Sequence, residues 1–253
     1  MNFKKMHGLG NDFVILDFRT ERQGLDGSQI TQICDRHHGI GCDQLVVIEP
    51  SDNADIRAIF YNADGSESGA CGNASRCVAD IIMNEQGLKA CTIETGGGVL
   101  EAHRAGENLI TVNMGAPKHI TDLDLDGAPV GVDMGNPHCV FFVEDVETVP
   151  VKTLGPKIEN HPLFPERTNV EFVEVLEDGR LRQRTWERGG YETLACGSGA
   201  CAVAVAAIRR ELIEGQKVEI ILNGGTLNIE WSQSDNMVYM TGPVTYVFEG
   251  QIF

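Results

Sequence analysis

Most of the hydrophobic pattern along the chain alternates between apolar and polar positions, which is typical of β-strands with one buried face. Helical patterns are few, and the clearest lie near 28–37, from about 73, and from about 198 to a glycine stop at Gly215. The pattern therefore predicts an α+β fold in which strands outnumber helices. The predicted strands are 12–18, 44–49, 56–61, 111–114, 139–144, 170–175 and 181–187.

The third helical stretch contains the run AVAVAA at 202–207, which is apolar on nearly every side. A helix of this kind is enclosed by other elements, because an all-apolar surface would be unfavourable in water. We therefore expect each half of the chain to be a curved, mostly antiparallel, barrel-like sheet wrapped around one central helix.

An internal repeat becomes visible when the sequence is shifted by 125 positions against itself. One constant shift accounts for matches through most of each half, so chance agreement among common small residues explains it poorly. The repeat predicts two similar domains, 1–117 and 118–253, and leaves open whether the C-terminal strand returns to the first domain. The shift superposes Asn11 on Asn136, Gln44 on Asn169, Asn62 on Glu187, and Cys71 on Cys196.

The formal net charge of the chain is −17, and its lysines and arginines form no clustered run. Nucleic acid and anionic membranes both require a basic surface, so we expect neither as a partner. The N-terminal region lacks an apolar stretch of signal-peptide length, and no window comes near about 18 uninterrupted apolar residues. These patterns favour a cytoplasmic protein in which an anionic ligand needs its own local positive site.

The eight cysteines are expected to remain thiols in a reducing compartment and not to form a disulfide framework. Zinc signatures do not occur, and the spacings around the repeated cysteines do not suit zinc, so no metal site is predicted. Cys71 and Cys196 are counterparts under the repeat. The other six are interpreted as packing residues, namely Cys34, Cys42, Cys77, Cys91, Cys139 and Cys201.

Cys71 and Cys196 each stand immediately before the start of a predicted helix. The first helical N–H groups have no internal partner, and the helix dipole adds partial positive charge, so this position binds anions and lowers the pKa of a thiol. A carboxylate is expected to bind there. If the halves pair about a pseudo-twofold axis, both helix starts converge on one cleft, with one cysteine on each side.

Two thiols on opposite faces of one α-carbon suit the inversion of a stereocentre. One thiolate removes the α-proton, and the other thiol returns a proton to the opposite face. The N–H groups that bind the carboxylate would stabilise the charge of the carbanion. The residues therefore favour an amino-acid epimerase without a cofactor. A non-catalytic redox or ligand-binding protein, in which the two cysteines form a reversible disulfide, is the alternative from another class.

Eight segments resemble diaminopimelate epimerase in order along the whole chain. They are MHGLGNDF, CDQ, YNADGSES, ACGNASRC, GNPHCV, RTNVEF, WERGGYET and ACGSGACA. The resemblance implies two repeated barrel-like domains with central helices, no pyridoxal phosphate and no metal. It also implies a homodimer that converts LL-diaminopimelate to the meso form, with catalytic cysteines that fall on Cys71 and Cys196.

The resemblance also implies roles for the residues around these cysteines. The backbone at Gly72-Asn73 and at Gly197-Ser198 would bind the reacting carboxylate, and His138 would orient the substrate amine or tune the thiols. The guanidinium of Arg188 would bind a carboxylate through two parallel hydrogen bonds. The positions that would fix the substrate are Asn11, Gln44, Asn62, Asn136, Asn169, Glu187 and Arg188, of which Glu187 would also tune the thiols.

The sequence departs from the usual motifs of that family in three places. Ala74-Ser75 stands where Gly-Ala is usual, and Ser198 replaces the commoner Thr. Tyr191 stands where a small residue is usual, so we expect a bulkier loop beside Arg188 that reshapes the distal part of the substrate pocket. This departure keeps a second substrate class open, in which the same thiol pair racemises histidine, proline or hydroxyproline.

Overall fold

The computed structural model of the protein describes residues 1–21 and 24–252. The chain divides into two compact units, of which the second is Asn113–Thr241 and the first combines Met1–Val112 with the segment from Gly242 onward. The predicted boundary after residue 117 thus lies five residues beyond the observed one. The segment from Gly242 joins the first unit because its strand pairs there, with Gln251 opposite Asn2.

The first unit contains nine strands and two helices among its described residues. The strands are β1 (Asn2–Gly8), β2 (Asn11–Asp17), β3 (Gln44–Glu49), β4 (Ile56–Asn62), β5 (Glu67–Ser68), β6 (Ala90–Thr95), β7 (Gly98–Gly106), β8 (Leu109–Asn113) and β18 (Thr245–Gln251). The helices are α1 (Gly27–Cys34) and α2 (Gly72–Gln86). Along the sheet, β1 pairs antiparallel with β18 and β2, β2 pairs parallel with β3, and β3 pairs antiparallel with β4. Strand β4 pairs parallel with β6, which continues antiparallel through β7 to β8.

The second unit has the same order of pairing in its described residues. Its strands are β9 (Lys118–Asp122), β10 (Val130–Asp133), β11 (Pro137–Val143), β12 (Asn169–Val175), β13 (Leu181–Glu187), β14 (Tyr191–Thr193), β15 (Lys217–Leu222), β16 (Gly225–Trp231) and β17 (Val238–Pro243). Its helices are α3 (Val151–Glu159) and α4 (Gly197–Arg209). From β10 to β17 the pairings are antiparallel, parallel, antiparallel, parallel, antiparallel and antiparallel, as they are from β1 to β8. The same order of strand pairing in both units confirms the predicted α+β fold of two similar repeats.

One helix forms the centre of each unit. Every residue of α2 from Gly72 to Met83 is buried, and the helix packs against β1, β2, β6 and β7. In α4 every residue from Gly199 to Ala207 is buried, and the helix packs against β10, β11, β12, β15 and β16. The small Ala and Val side chains of α4 let the surrounding strands approach closely, which explains the apolar run in the sequence. Within 1–21 and 24–252, no helix has both the length and the apolar character to cross a membrane.

The predicted end of α4 at Gly215 is wrong, because the helix ends at Arg209. Glu211 adopts a left-handed conformation with φ 55° and donates its N–H to Ile208. The next N–H, of Leu212, bonds to Ala207. These two bonds form a Schellman motif, which stops a helix most often at glycine but is occupied here by glutamate.

Two further differences concern the shorter helices. Helix α1 ends three residues before the predicted position, because the Asp35 carboxylate accepts the backbone N–H groups of His37 and His38 in a turn, each at 2.7 Å. Helix α3 was not predicted, since it contains Gly155 and Pro156. Gly155 is required there because a Cβ atom would lie 2.3 Å from the ring of Trp186.

Candidate active site

Cys71 lies at the N-cap of α2 with extended backbone angles (φ −145°, ψ 109°) and is half-buried. The residue therefore stands at the helix end whose first N–H groups lack intrahelical partners, as predicted. The side chain of Asn11 lies beside it. The Asn11 Oδ1 atom accepts a hydrogen bond from Asn73 Nδ2 at 3.1 Å and lies 3.9 Å from the Cys71 sulfur.

The orientation of the Asn11 amide is fixed by a charged network. Its Nδ2 atom donates to Asp43 Oδ2 at 2.9 Å, so its carbonyl oxygen faces Asn73 and the thiol. Arg36 bridges Asp43 (2.8 Å) and Asp12 (2.6 Å), and Lys5 lies 2.5 Å from Asp12. Burial raises the pKa of Asp12, but the hydrogen bonds from Arg36 and Lys5 outweigh it and lower that pKa to about 2. This carboxylate is therefore charged at neutral pH.

Gln44 and Asn62 face each other across β3 and β4 in register. Gln44 Nε2 donates to Asn62 Oδ1 at 2.9 Å, and Asn62 Nδ2 donates to the hydroxyl of Ser66 at 3.0 Å. Both amides are half-buried, so this pair forms a polar surface of the first unit with a defined direction of hydrogen bonding.

Cys196 lies at the N-cap of α4 and is 7% exposed. Its sulfur accepts a hydrogen bond from the backbone N–H of Gly199 at 3.4 Å and lies 3.7 Å from the hydroxyl oxygen of Ser198. Burial raises the pKa of the Cys196 thiol well above its usual value, the carboxylates of Glu187 and Glu171 add to this, and the hydrogen bonds from Gly199 and Ser198 oppose it in part.

His138 lies on β11 in the core of the second unit, with both ring nitrogens in hydrogen bonds. Nδ1 is 2.8 Å from Glu171 Oε1, and Nε2 is 3.1 Å from Asn136 Oδ1. The Asn136 amide nitrogen donates in turn to the Ser198 hydroxyl at 3.4 Å. The structure thus brings three residues predicted for the site, Asn136, His138 and Ser198, into one hydrogen-bonded group with Cys196.

Arg188 and Asn169 form a second polar group in this unit. The Asn169 side chain accepts the backbone N–H of Arg188 at 2.9 Å and donates to the Pro137 carbonyl at 3.0 Å. The guanidinium of Arg188 donates to the backbone carbonyl of Glu166 at 3.4 Å. Tyr191 lies on β14 opposite Glu187 and is 50% exposed, so its ring extends toward solvent.

Two residues of these groups were not assigned a role from the sequence. Asp43 orients Asn11, and Glu171 binds His138. Asp43 belongs to the segment CDQ that carries the resemblance, and Glu171 is the buried one of the two acidic residues in the mostly apolar strand β12. A charge at a buried strand position is a detectable signal, but its partner lies on the neighbouring parallel strand and is not visible in the sequence.

None of the eight cysteines is in a disulfide. The sulfurs of Cys34 and Cys42 lie 3.5 Å apart in the core of the first unit. Burial raises the pKa of Cys77 to about 12 and that of Cys91 to about 11, so both are poor nucleophiles. These environments fit packing side chains.

Solved structures with the same architecture place the chain in a class of two-repeat α+β proteins. A hydroxyproline epimerase from Agrobacterium vitis has a TM-score of 0.74 with 16% sequence identity, over 100% of this chain and 90% of that one. A PhzF-family phenazine biosynthesis protein from Bacillus anthracis has a TM-score of 0.75 with 18% identity, over 100% and 99%. At this level of identity the likeness establishes the fold.

Sequence comparison then identifies the family within that class. The family model for diaminopimelate epimerase matches residues 3–120 and 130–247, one match in each repeat. The diaminopimelate epimerase of Acidiphilium cryptum is 47% identical over 266 residues, covering 99% of this chain and 95% of that protein. That of Methanococcus maripaludis is 43% identical over 276 residues, covering 100% and 99%. The chain belongs to the diaminopimelate epimerase family and is an isomerase.

Proposed function

We propose that this protein interconverts LL- and meso-diaminopimelate by a two-base mechanism in which Cys71 and Cys196 exchange protons with one α-carbon. The observation that carries the proposal is the repeated placement of a cysteine at the N-cap of each central helix, in a chain of this family. Two monoprotic groups at equivalent positions match a reaction that removes a proton on one face and returns it on the other.

The reacting end of the substrate binds at the two helix starts. The backbone N–H groups around Gly72-Asn73 and Gly197-Ser198 lie at the positive ends of the helix dipoles and donate hydrogen bonds to the α-carboxylate. The substrate has a second amino-acid end, and Arg188 offers its carboxylate a bidentate partner. The amides of Gln44, Asn62 and Asn169 supply further donors and acceptors for this distal end.

The two cysteines together account for both proton transfers, because one takes up a proton and the other supplies one. A thiolate takes the α-proton as the electron pair of the C–H bond moves into the carboxylate and gives an enediolate. The N–H groups that bind the carboxylate stabilise this charge. The second cysteine then gives its S–H proton to the opposite face of the α-carbon, so the first ends as a thiol and the second as a thiolate. The reverse reaction starts from that state.

The alternatives from the sequence are less well supported than diaminopimelate. The solved hydroxyproline epimerase and the probable proline racemase in the comparison share only 16% and 14% identity with this chain, whereas several diaminopimelate epimerases reach 42–47%. A reversible disulfide between the two cysteines without catalysis remains an outcome that the experiment below would reveal.

We also propose a homodimer in the cytoplasm. The composition of the chain supports the location, and strand β18 supports the dimer because it carries three large side chains that are about half exposed. These are Tyr246 at 48%, Val247 at 50% and Phe248 at 45%. A second copy of the chain would remove these three side chains from water. Light scattering of the wild type and of Val247→Asp tests the dimer, which the charged variant should dissociate.

Deuterium exchange tests the activity directly. The reduced protein is incubated with LL-diaminopimelate in deuterated water, and mass spectrometry and NMR follow deuterium at the α-carbon. We expect one deuterium at the inverted centre and the appearance of the meso isomer. The same assay with proline, hydroxyproline and histidine examines the other substrate class. Absence of exchange with all of these amino acids would reject the epimerase mechanism.

A further inference from the structure

A continuous chain of hydrogen bonds connects a buried carboxylate to the second catalytic thiol. It runs from Glu171 through His138, Asn136 and Ser198 to Cys196, with distances of 2.8, 3.1, 3.4 and 3.7 Å. All five residues belong to the second unit. The Glu171 side chain is completely buried, and its Oε2 atom has no hydrogen-bond partner among the described residues.

The repeat shows that this chain is not a requirement of the fold. The 125-residue shift places Phe13 at the position of His138 and Val46 at that of Glu171, and both are fully buried. The pairing of Phe13 with Gln44 matches that of His138 with Asn169, so the positions correspond in structure. Burying a carboxylate where an apolar side chain fills the other repeat lowers stability, which indicates a functional reason for Glu171.

The partners of His138 determine where its protons lie. Asn136 Oδ1 is an acceptor only, so Nε2 must donate to it. A proton must also lie between Nδ1 and Glu171 Oε1, because two lone pairs at 2.8 Å would repel each other. Asn136 and Glu171 together therefore fix the imidazole in the form that carries one proton on Nε2 and shares another with Glu171.

The direction of the chain follows from this arrangement. Since its carbonyl is engaged by His138, Asn136 turns its amide nitrogen toward the Ser198 hydroxyl, which accepts that hydrogen bond. The hydroxyl hydrogen is then left to point at the Cys196 sulfur. The sulfur accordingly receives two donors, the Ser198 hydroxyl and the Gly199 N–H. These donors stabilise a thiolate against the burial that disfavours it.

We propose that Glu171 is a positioning residue that fixes the direction of this chain, so that Ser198 donates to Cys196 each time the sulfur becomes a thiolate. The inference rests on the proposed role of Cys196 in proton transfer. Without Glu171, the imidazole can carry its proton on Nδ1 and accept at Nε2. Asn136 then turns over, its carbonyl draws the hydrogen of Ser198, and the sulfur loses a donor.

Gly199 provides an independent sign that this corner is built around the carboxylate. A Cβ atom at this position would lie 2.6 Å from Glu171 Oε1 and 3.1 Å from the Cys196 sulfur. The corresponding residue of the first repeat is Ala74, which has a Cβ and is fully buried, and the position of Glu171 is taken there by the shorter Val46. The second repeat therefore has glycine on its central helix at the point where the Glu171 carboxylate comes close.

Glu171→Leu and Glu171→Gln test the inference. Leucine fills the volume but cannot fix the tautomer, whereas the Gln amide can donate to Nδ1 and keep Nε2 as a donor to Asn136. We expect kcat to fall about 10- to 100-fold in Glu171→Leu with little change in KM, as for loss of a hydrogen bond to a charged group. Glu171→Gln should remain within about threefold of the wild type.

A second readout is the rate at which iodoacetamide alkylates each cysteine, measured by peptide mass spectrometry. The carboxylates of Glu187 and Glu171 face Cys196, and His138 is bonded to Glu171. Removing the charge of Glu171 would by itself lower the pKa of the Cys196 thiol and speed its alkylation. Alkylation of Cys196 that slows in Glu171→Leu, by up to about tenfold, therefore reports loss of the Ser198 donor. Cys71 in the same molecule is the internal control and should react as in the wild type.

A double-mutant cycle with Ser198→Ala shows whether the effect passes through the hydroxyl. Glu171→Leu combined with Ser198→Ala should be no slower than Ser198→Ala alone. If the Leu variant does not fold, Glu171→Met replaces it. Additive losses, equal losses in the Gln and Leu variants, or an unchanged Cys196 rate would each overturn the inference. The alkylation result does not depend on the substrate, so it stands apart from a failure of the deuterium exchange assay.

Discussion

The two repeats place the same residue types beside their cysteines but orient them in opposite ways. In the first, Asp43 binds the amide nitrogen of Asn11, and the carbonyl oxygen faces the Cys71 thiol. In the second, His138 binds the carbonyl of Asn136, and the amide nitrogen faces the hydroxyl beside Cys196. One thiol therefore meets an acceptor and the other meets donors. The repeat supplies equivalent positions, and differences at a few of them give the two sulfurs different hydrogen-bonding surroundings.

Of the substitutions considered, removal of either thiol should lower the activity most. We expect Cys71→Ser and Cys196→Ser each to lower the rate of complete inversion by at least about 100-fold, the usual contribution of a positioned acid or base. The measurement is conversion of LL- to meso-diaminopimelate, with α-deuterium exchange followed separately. Cys91→Ser, at a buried thiol on β6, is the matched control and should retain activity. A fully active Cys71 or Cys196 variant would exclude the two-base mechanism.

Substitutions at the equivalent positions 199 and 74 test whether the packing at the start of the central helix differs between the two repeats. Gly199→Ala places a Cβ against Glu171 and the Cys196 sulfur, so we expect a loss of about 1–3 kcal/mol in unfolding free energy and a kcat reduced at least tenfold. The reciprocal Ala74→Gly adds only helix flexibility, at about 1 kcal/mol, and should leave kcat nearly unchanged. Denaturant unfolding and steady-state kinetics of both variants give the comparison. Equal effects on kcat would contradict the asymmetry.

The sequence predicts the repeated architecture because the repeat, the central helices and part of the strand alternation can be read directly from it. Strand alternation identifies seven of the eighteen strands in the described residues, the helical pattern identifies both central helices, and the predicted helix starts place Cys71 and Cys196 at their N-caps. The end of α4 was misplaced because a Schellman motif formed at Glu211 without glycine. The motifs also point to His138 and Asn136, but the direction of their hydrogen bonds depends on the register of β11 against β12, which no local pattern encodes.

The charged network of the first repeat predicts a stability change in acid. The folded pKa of Asp12 is about 2, below its ordinary value of 3.8, so the carboxylate stabilises the fold above that ordinary value and this contribution is lost as pH falls toward 2. Its size is about 2 kcal/mol. Asp12→Asn should therefore unfold more easily at pH 7 and approach the wild type near pH 2. A parallel offset at all pH values, measured by urea unfolding, would show that the charge of Asp12 is not responsible.

The smallest effect is expected at Tyr191, one of the places where the sequence differs from the motif expected for the family. The sequence suggested that its bulk reshapes the distal substrate pocket beside Arg188. In the structure, the residue pairs with Glu187 across β13 and β14, and half of its surface is open to solvent. We expect Tyr191→Ala to change kcat and KM for diaminopimelate by less than about threefold, since surface substitutions are usually near neutral. The decisive measurement is the ratio of kcat/KM for diaminopimelate to that for proline. A large shift of this ratio would mean that the exposed ring contacts the bound substrate, and that the second repeat sets substrate choice as well as the environment of its thiol.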